Sequence, residues 1–408
     1  MKTFIKKYII RFSLVLTVFI NGCIEPIEFS SNTYENNLVV RSILTNEFKK
    51  HSIELSRTIP IDSTQLDPVR NAEVSIVDNN GTIYRFQEEE NGVYTSSVNF
   101  AAEANKSYSL KIQTANGSSY TSTSEKLPPL SEIEEINTAI ELNDESDTPD
   151  FVFRVNSITN THEGNYYRYA YDETFKIKTN IWSPKKLEVV SDTSPYEFRL
   201  VDKIPEIDGT GFCYVNKLSS SILLSETFSL DENKVTNIPV RRIPLDNYII
   251  GIRYSVLIKQ YVLNKNTYDF YSLLDKFSNP DNVFSQIQVG NVPSNISSDI
   301  DPDNDKVLGF FEVSSVHEKR IFVNRSEITN LAFINYPTPL SCTDRPNPLI
   351  EDRDGSSPLL ELLESGWIYQ SPPDIPIPPP GKPYALARKP CGDCRQFGEV
   401  SPPDFWIE

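Results

Sequence analysis

Four cysteines in the second half of the chain are the clearest candidates for chemistry, because of their spacing. Cys391 and Cys394 form a Cys-x-x-Cys motif, which elsewhere acts as a redox dithiol or supplies half of a zinc site. Zinc would need a second ligand pair at a suitable spacing, and the three histidines of the chain are scattered. Because Cys213 and Cys342 make the number even, the sequence favours two structural disulfides, for which the connectivity is open.

Alternating aspartates form the sharpest charged cluster of the sequence. They are Asp299, Asp301, Asp303 and Asp305. Oxygen-rich loops of this kind suit Ca²⁺, but an EF-hand that begins at position 299 would require Gly at 304 and Glu at 310, and this chain has neither. Two interpretations stay open, a calcium loop and a solvated turn.

Motifs for hydrolytic chemistry are incomplete. His317 and Glu318 begin like the zinc-binding His-Glu-x-x-His motif, but position 321 is isoleucine, so the second imidazole is missing. Neither a Gly-x-Ser-x-Gly nucleophile elbow nor a phosphate-binding P-loop pattern occurs. A catalytic carboxylate pair cannot be picked out among 56 acidic residues, because its separation depends on the fold. We therefore predict a non-enzymatic protein, with a surface hydrolase or a peptidase-associated enzyme as the alternative.

The N-terminus has the residue order of a targeting signal. Four basic residues within the first eleven precede an apolar stretch at 12–20, and Gly22-Cys23 follows. This order resembles a bacterial lipobox, which predicts that 1–22 is a signal peptide and that Cys23 receives lipid. A plain secretory signal is the alternative, whereas nine apolar residues are too few to span a membrane. We expect attachment to membrane lipid through the acylated Cys23.

Acidic residues follow the predicted anchor within a short polar tether, residues 23–36. Glu25 and Glu28 beside the cysteine resemble the surface-export signal of Bacteroidota lipoproteins, although they could also be ordinary linker acids. The expectation is an outer-membrane lipoprotein that faces the cell exterior. Ser63, within Asp-Ser-Thr, resembles the O-glycosylation sites of the same phylum.

Composition excludes some partners. The 408 residues include 39 Lys and Arg against 56 Asp and Glu, a net charge of −17, which argues against nucleic acid because that affinity depends on cations at phosphates. Only 15 glycines against 29 prolines argue against glycine-rich nucleotide-binding loops. The length predicts two or three domains, or one domain with large insertions.

The elements that must position these residues are mostly strands. Between residues 37 and 129, short alternating segments recur every 8–12 residues with turns at Asn91-Gly92 and Asn116-Gly117. This pattern predicts a mainly β fold that begins with an Ig-like or transthyretin-like β-sandwich. Residues 130–370 form a larger β-rich domain with one or two short helices. Its predicted strands are 151–155, 166–178, 186–191, 211–216, 235–242, 248–263, 307–314 and 320–324.

Two helices and one strand face carry finer predictions. Asn266 is the predicted N-cap of a helix at 267–277, and Ser357 that of a second helix, which Gly366 ends. Tyr167, Tyr169 and Tyr171 share one strand face, which is either core or a surface for sugars or proteins.

The end of the chain is predicted to pack on the folded body. Residues 371–408 begin as a proline-rich strap and continue into a segment dense in cysteine and aromatic residues, which prefer burial.

Several motifs together resemble the DUF4249 family of Bacteroidota outer-membrane lipoproteins. They are the lipobox, Ala72-x-Val74-x-Ile76, Gly92-x-Tyr94, Tyr268-Asp269-Phe270-Tyr271, Val289-Gly290-Asn291-Val292, Val307-Leu308-Gly309-Phe310-Phe311, Cys391-Gly392-Asp393-Cys394-Arg395 and Pro403-Asp404-Phe405-Trp406. The family has no established activity, so the resemblance implies no particular reaction for this chain. Because genes of that family commonly lie beside those of TonB-dependent outer-membrane receptors, it implies an accessory role to such a receptor. A structural or adhesive surface module is a further alternative.

Overall fold

The computed structural model is mainly β, which confirms the predicted fold class at that level. It describes residues 36–60, 63, 65–143, 146–159, 164–228, 233–278, 293–328, 340–371 and 380–408. These residues form one large mixed sheet, three small sheets and four short helices. None of these helices is both long enough and apolar enough to cross a membrane.

Nine short strands occupy the region predicted to be a sandwich. They are β1 (Leu38–Thr45), β2 (Ser52–Arg57), β3 (Asp67–Pro68), β4 (Glu73–Asp78), β5 (Ile83–Glu90), β6 (Val93–Ser96), β7 (Ser107–Gln113), β8 (Ser119–Ser122) and β9 (Glu125–Lys126). Buried residues alternate along them: in β1, Leu38, Val40 and Ser42 are buried, whereas Arg41 is exposed. This period of two is why the sequence predicts strands here.

Thirteen further strands follow. They are β10 (Glu132–Asn143), β11 (Ser146–Ile158), β12 (Tyr166–Lys178), β13 (Lys185–Ser191), β14 (Glu197–Asp202), β15 (Phe212–Leu218), β16 (Leu223–Glu226), β17 (Lys234–Pro244), β18 (Arg253–Leu263), β19 (Ile296–Ser298), β20 (Val307–Asn324), β21 (Trp367–Ser371) and β22 (Ala385–Arg388). In β12, Tyr167 and Tyr169 are buried in the core, so the core interpretation of the tyrosine face is confirmed.

The helices are α1 (Pro205–Asp208), α2 (Lys265–Ser278), α3 (Pro358–Glu364) and α4 (Lys389–Gly392). The second and third confirm the two predicted helices, and Ser357 caps α3 by accepting a hydrogen bond from Leu360 N at 3.2 Å. The predicted N-cap Asn266 is wrong, because α2 already begins at Lys265. The sequence does not predict α1 and α4, since a single turn carries no helical periodicity.

The large sheet has the strand order β15-β12-β18-β20-β1-β2-β6-β5-β4-β7-β8-β19. Strands β10, β11 and β17 form a second sheet, and the hairpins β13–β14 and β21–β22 are separate two-stranded sheets. In the large sheet, β20 runs parallel to β1, whereas its pairing with β18 is antiparallel.

One long strand joins the two halves of the chain. The predicted separate strands at 307–314 and 320–324 are wrong, because β20 is continuous. Its first part pairs with β1 and its second part, from Ser315 on, pairs with β18, so the charged stretch between them stays in the sheet. Gly309 has φ +106°, and a Cβ there would lie 1.9 Å from the carbonyl oxygen of Val40. Only glycine therefore permits this close pairing.

Two hydrophobic cores lie on the two sides of this junction. One is built from β1–β8 with Ile296, Val307 and Phe311, and the other mainly from strands β10–β18. The predicted domain boundary at residue 129 stays a prediction, and strands from both sides of it share the large sheet through β20.

Candidate functional site at the C-terminal clamp

Two disulfides attach the Cys-x-x-Cys motif to distant parts of the chain. Cys394 is bonded to Cys213 in β15, and Cys391 is bonded to Cys342. The two predicted structural disulfides are confirmed. The sequence left three connectivities open, and the structure has this one of them. Both sulfur atoms of the motif are oxidised here, so the motif cross-links the fold instead of presenting a dithiol.

The residues between and after the motif cysteines make close contacts with their surroundings. A Cβ on Gly392 would lie 2.5 Å from the carbonyl oxygen of Ile181. Asp393 accepts a hydrogen bond from the backbone N–H of Arg395 at 3.0 Å and pairs with its guanidinium, which also donates to the carbonyl of Ile207. Although burial opposes it, hydrogen bonding from Arg395 holds the pKa of Asp393 below its ordinary value. We call residues 391–408 the C-terminal clamp.

One face of the large sheet contacts the end of this clamp. Its side chains come from four adjacent strands: Tyr214 from β15, Lys176 from β12, Arg253 from β18, and Arg320 and Phe322 from β20. Lys176 lies opposite Tyr214 and Arg253 in register, which brings their side chains to one face. We call these five residues the clamp groove.

Two aromatic residues of the clamp pack against these side chains, with Phe405 still 39% exposed and Trp406 half-buried. The Phe405 ring lies beneath the Arg320 guanidinium, 3.6 Å from ring centroid to carbon. Trp406 packs edge-on against Tyr214 and Phe322, with centroid distances of 5.1 and 5.7 Å. Cation–π and edge-to-face contacts of this kind each contribute about 0.5–1.5 kcal/mol.

Polar contacts hold residues 399–408 of the clamp at both ends. Glu399 and Tyr214 exchange two backbone hydrogen bonds, at 2.8 and 3.0 Å. Arg253 Nε donates to the carbonyl of Ile407 at 2.7 Å. Glu408 accepts from Lys176 Nζ at 2.8 Å and from the Tyr214 hydroxyl at 2.9 Å. Side-chain and backbone contacts together thus hold this stretch of the chain on the sheet.

The Glu408 contacts predict a pH-dependent hold on this segment. Hydrogen bonds from Lys176 and Tyr214 keep the pKa of Glu408 below its ordinary value. A carboxyl whose pKa is lower in the folded state stabilises that state above its unfolded pKa, and the contribution is lost as pH falls through the folded pKa. We therefore expect the segment to loosen below about pH 4. Fluorescence of Trp406, in a Trp182→Phe, Trp367→Phe background, measures this loosening.

Glu408→Gln is the control for that titration. It removes the carboxyl that Lys176 and Tyr214 contact and retains every other acidic group. The acid-induced fluorescence change should then flatten. An unchanged pH profile in this variant would contradict the assignment to Glu408.

The four aspartates of the predicted calcium loop do not converge. Asp301 accepts hydrogen bonds from the side-chain amide of Asn304, Asp305 accepts one from Tyr120, and Asp299 accepts one from Thr121. Within the described ranges, no three His, Cys, Asp or Glu side chains are grouped as metal ligands would be. The calcium interpretation of this loop therefore stays a prediction.

Other predicted site residues fall elsewhere. His317 lies within β20, where its Nδ1 accepts a hydrogen bond from the backbone N–H of Ile133 at 3.1 Å. Ser63 is half-buried, and its backbone N–H donates to the carbonyl of Pro60. Cys23, Glu25 and Glu28 lie outside the described residues. Neither His317 nor Ser63 belongs to the clamp groove.

A buried ion cluster that the sequence does not indicate lies beneath α2. Arg168 of β12 donates to both carboxylate oxygens of Glu312 in β20, at 3.0 and 3.3 Å. Its guanidinium lies 4.2 Å from the ring centroid of Tyr261 and 4.7 Å from that of Tyr271, whose hydroxyl donates to Glu312. Burial disfavours the charge, yet Glu312 and the two tyrosines hold the pKa of Arg168 above its ordinary value.

A second missed cluster joins two sheets. Arg241 of β17 donates to Glu173 of β12 at 2.9 and 3.3 Å, and the Tyr254 hydroxyl donates to the same carboxylate at 2.7 Å. Burial, reinforced by the Glu173 charge, raises the pKa of Tyr254 well above its usual range. In both clusters the guanidinium is paired with a buried carboxylate, so their geometry supports a structural role, although Arg168 Nε is buried without a hydrogen-bond partner among the described residues. Nothing in the sequence marks them, because an isolated charge in a strand is typical of a solvated face.

A pocket of about 300 Å³ lies beside the Cys342–Cys391 disulfide. Arg388 and Asp344 in its lining pair with each other at 2.9 Å. This pairing neutralises the two charges, so the pocket is a weak candidate for binding an ion.

Solved structures resemble the chain only distantly. A DUF4785 family protein from Legionella pneumophila is 12% identical with a TM-score of 0.17, and the match covers 50% of this chain and 56% of that chain. The native conformation of E. coli alpha-2-macroglobulin is 10% identical with a TM-score of 0.17, and the match covers 57% and 13%. The chain thus spans less than two thirds of each, and we draw nothing from either likeness. No curated protein matches the chain.

Comparison with protein families covers more of the molecule. The model of a domain of unknown function, DUF4249, matches residues 24–320. This range contains β1–β19 and most of β20, including both buried ion clusters, and it ends before the C-terminal clamp. Since the match covers more than half of the 408 residues, the chain belongs to the DUF4249 family.

Proposed function

We propose that the protein is a surface-exposed lipoprotein of the outer membrane that works, without catalysis, as an accessory or binding partner of a TonB-dependent receptor. The observation that carries the proposal is the residue order at the N-terminus, basic, then apolar, then Gly22-Cys23. The two disulfides support it, because such bonds persist in oxidising compartments outside the cytoplasm.

Acylation of Cys23 would provide the anchor. Membrane affinity grows by roughly 0.8 kcal/mol per buried CH₂ group, so several acyl chains on one cysteine hold a protein durably. The segment from Cys23 to Leu38 at the start of β1 can reach at most about 50 Å. Glu25 and Glu28 support an outward-facing anchor, and a body on so short a tether stays near the membrane surface.

The folded body would supply the contact surface. Its large sheet and two disulfides give a cross-linked body that can meet a receptor without extensive rearrangement. We further propose that β1–β9, β19 and the first part of β20 form the Ig-like or transthyretin-like sandwich. Their common core, with Leu38, Tyr108 and Phe311 buried, supports this proposal.

Native co-purification tests the function. Tagged wild-type protein and Cys23→Ala are expressed at equal levels, and both are isolated from detergent-solubilised membranes. We expect the wild type to fractionate with the outer membrane and to bring down a TonB-dependent barrel. Cys23→Ala should leave the membrane fraction and lose the barrel. Mass spectrometry identifies the partner.

Protease treatment of intact cells tests the orientation in the same strains. Digestion of wild-type protein before lysis is expected from an outward-facing anchor. Protection until lysis would place the protein on the periplasmic side. Membrane retention of Cys23→Ala, or wild-type isolation without any barrel protein, would contradict the proposed function.

A further inference from the structure

We propose that the clamp groove is a peptide-binding site and that residues 403–408 are its resident, displaceable ligand. The external ligand would be a peptide segment with adjacent aromatic residues followed by an acidic one, able to form the turn that the Trp406 N–H and the Pro403 carbonyl close at 2.8 Å in the resident segment. This inference goes beyond the proposed function and does not depend on the membrane anchor. It rests on the groove, on the resident segment and on the charges that join them.

Two buried hydroxyl groups among the groove side chains have hydrogen-bond partners outside the resident segment. Thr174 and Ser255 lie between its charged side chains in the sheet register, and both are buried. Thr174 donates to Asn216 at 2.6 Å, and Ser255 accepts from Arg320 at 3.0 Å. Because these hydroxyls have partners on the strands themselves, departure of the resident segment would leave neither unsatisfied.

The resident segment is held in a way that permits exchange. It follows both disulfides in the chain, so its release would break no covalent bond. The Trp406 Nε1 hydrogen is buried and has no hydrogen-bond partner among the described residues. An unsatisfied buried donor weakens the bound state. Because this defect weakens the hold on the segment, a competing peptide at sufficient concentration could displace it.

Charge and shape define the chemistry of the external ligand. Lys176, Arg253 and Arg320 make the groove basic on a protein whose net charge is −17. Tyr214 and Phe322 present ring faces and edges to an indole. Aromatic side chains satisfy both features through cation–π and edge contacts, and an acidic residue pairs with Lys176 as Glu408 does.

A labelled peptide tests the proposal on the purified full-length chain. The probe is the fluorescent octapeptide Ser-Pro-Pro-Asp-Phe-Trp-Ile-Glu, the sequence of residues 401–408. In the variant Phe405→Ala, Trp406→Ala the resident segment is weakened, and we expect at least tenfold tighter probe binding than in the wild type. Adding Phe322→Ala should abolish that gain. A probe with alanine at its Phe and Trp positions should not bind.

Phe48→Ala is the matched control, since Phe48 is an exposed aromatic residue far from the groove in sequence. This variant should bind the probe as the wild type does. Equal probe binding by the wild type and the folded Phe405→Ala, Trp406→Ala variant would overturn the proposal. If that variant does not fold, wild-type protein with 5-fluorotryptophan is titrated with unlabelled peptide. The Trp406 ¹⁹F resonance should move toward its solvent-exposed position, and no movement at millimolar peptide would overturn the proposal.

Discussion

Replacement of Glu312 with glutamine is expected to lower the free energy of unfolding by about 3–5 kcal/mol. The Glu312 side chain is 1% exposed and Arg168 is 12% exposed, so the variant leaves a guanidinium charge buried without its counter-ion. Glutamine also keeps only one acceptor oxygen for the three donors that the carboxylate serves, Arg168, Ser314 and Tyr271, so the hydrogen bond that fixes α2 on the sheet is weakened. Urea denaturation followed by fluorescence measures the change.

Glu318→Gln supplies a matched control on the same strand. Glu318 pairs with Lys259 at 3.4 Å and is considerably more exposed, so its replacement should cost no more than about 1 kcal/mol. A double variant, Arg168→Met with Glu312→Leu, should recover much of the loss, because it removes both charges from the interior. Equal costs for the two glutamine variants would refute the role of the buried pair.

Removal of the Cys213–Cys394 disulfide by a double alanine substitution should also be strongly destabilising. The bond closes a separation of 181 residues, against 49 for Cys342–Cys391. The chain-entropy relation gives about 5 kcal/mol for the longer loop and about 4 kcal/mol for the shorter one. Non-reducing urea denaturation of the two double variants should show this order.

Thiol counting on denatured, unreduced protein checks the starting point of that experiment. None of Cys213, Cys342, Cys391 and Cys394 should react in the wild type, because all four are paired. Two reactive thiols among them would show that one bond is absent in solution. A reversed order of stabilities would show that native contacts, and not loop length, dominate.

Local patterns allowed much of the fold to be predicted. Strand β12 coincides with the predicted strand at 166–178, because the alternation of side chains along a strand is visible in the local sequence. Ser357 and Pro358 likewise mark the start of α3 by a local signal. The continuity of β20 could not be predicted from the sequence. Its charged middle is kept in the sheet by β18, which lies some fifty residues earlier in the chain.

The candidate site was less accessible to sequence reasoning. The density of Cys and aromatic residues in 391–408 indicated packing, and Trp406 does contact Tyr214 and Phe322. The groove itself comes from four strands whose neighbours are set by tertiary pairing, so no sequence window contains it. The same holds for Arg168 and Glu312, which are 144 positions apart.

The parallel pairing of β1 with β20 has a mechanical consequence. Every residue of β1, from Leu38 to Thr45, is opposite a residue of β20, and β2 pairs along the other edge. If a partner holds the body while the proposed anchor pulls on the tether, the load enters at Leu38 and runs along β1. The evenly spaced hydrogen bonds of the parallel ladder run across that load, so they are sheared together instead of opening one at a time. The strand nearest the anchor is therefore the one that resists extraction along its whole length.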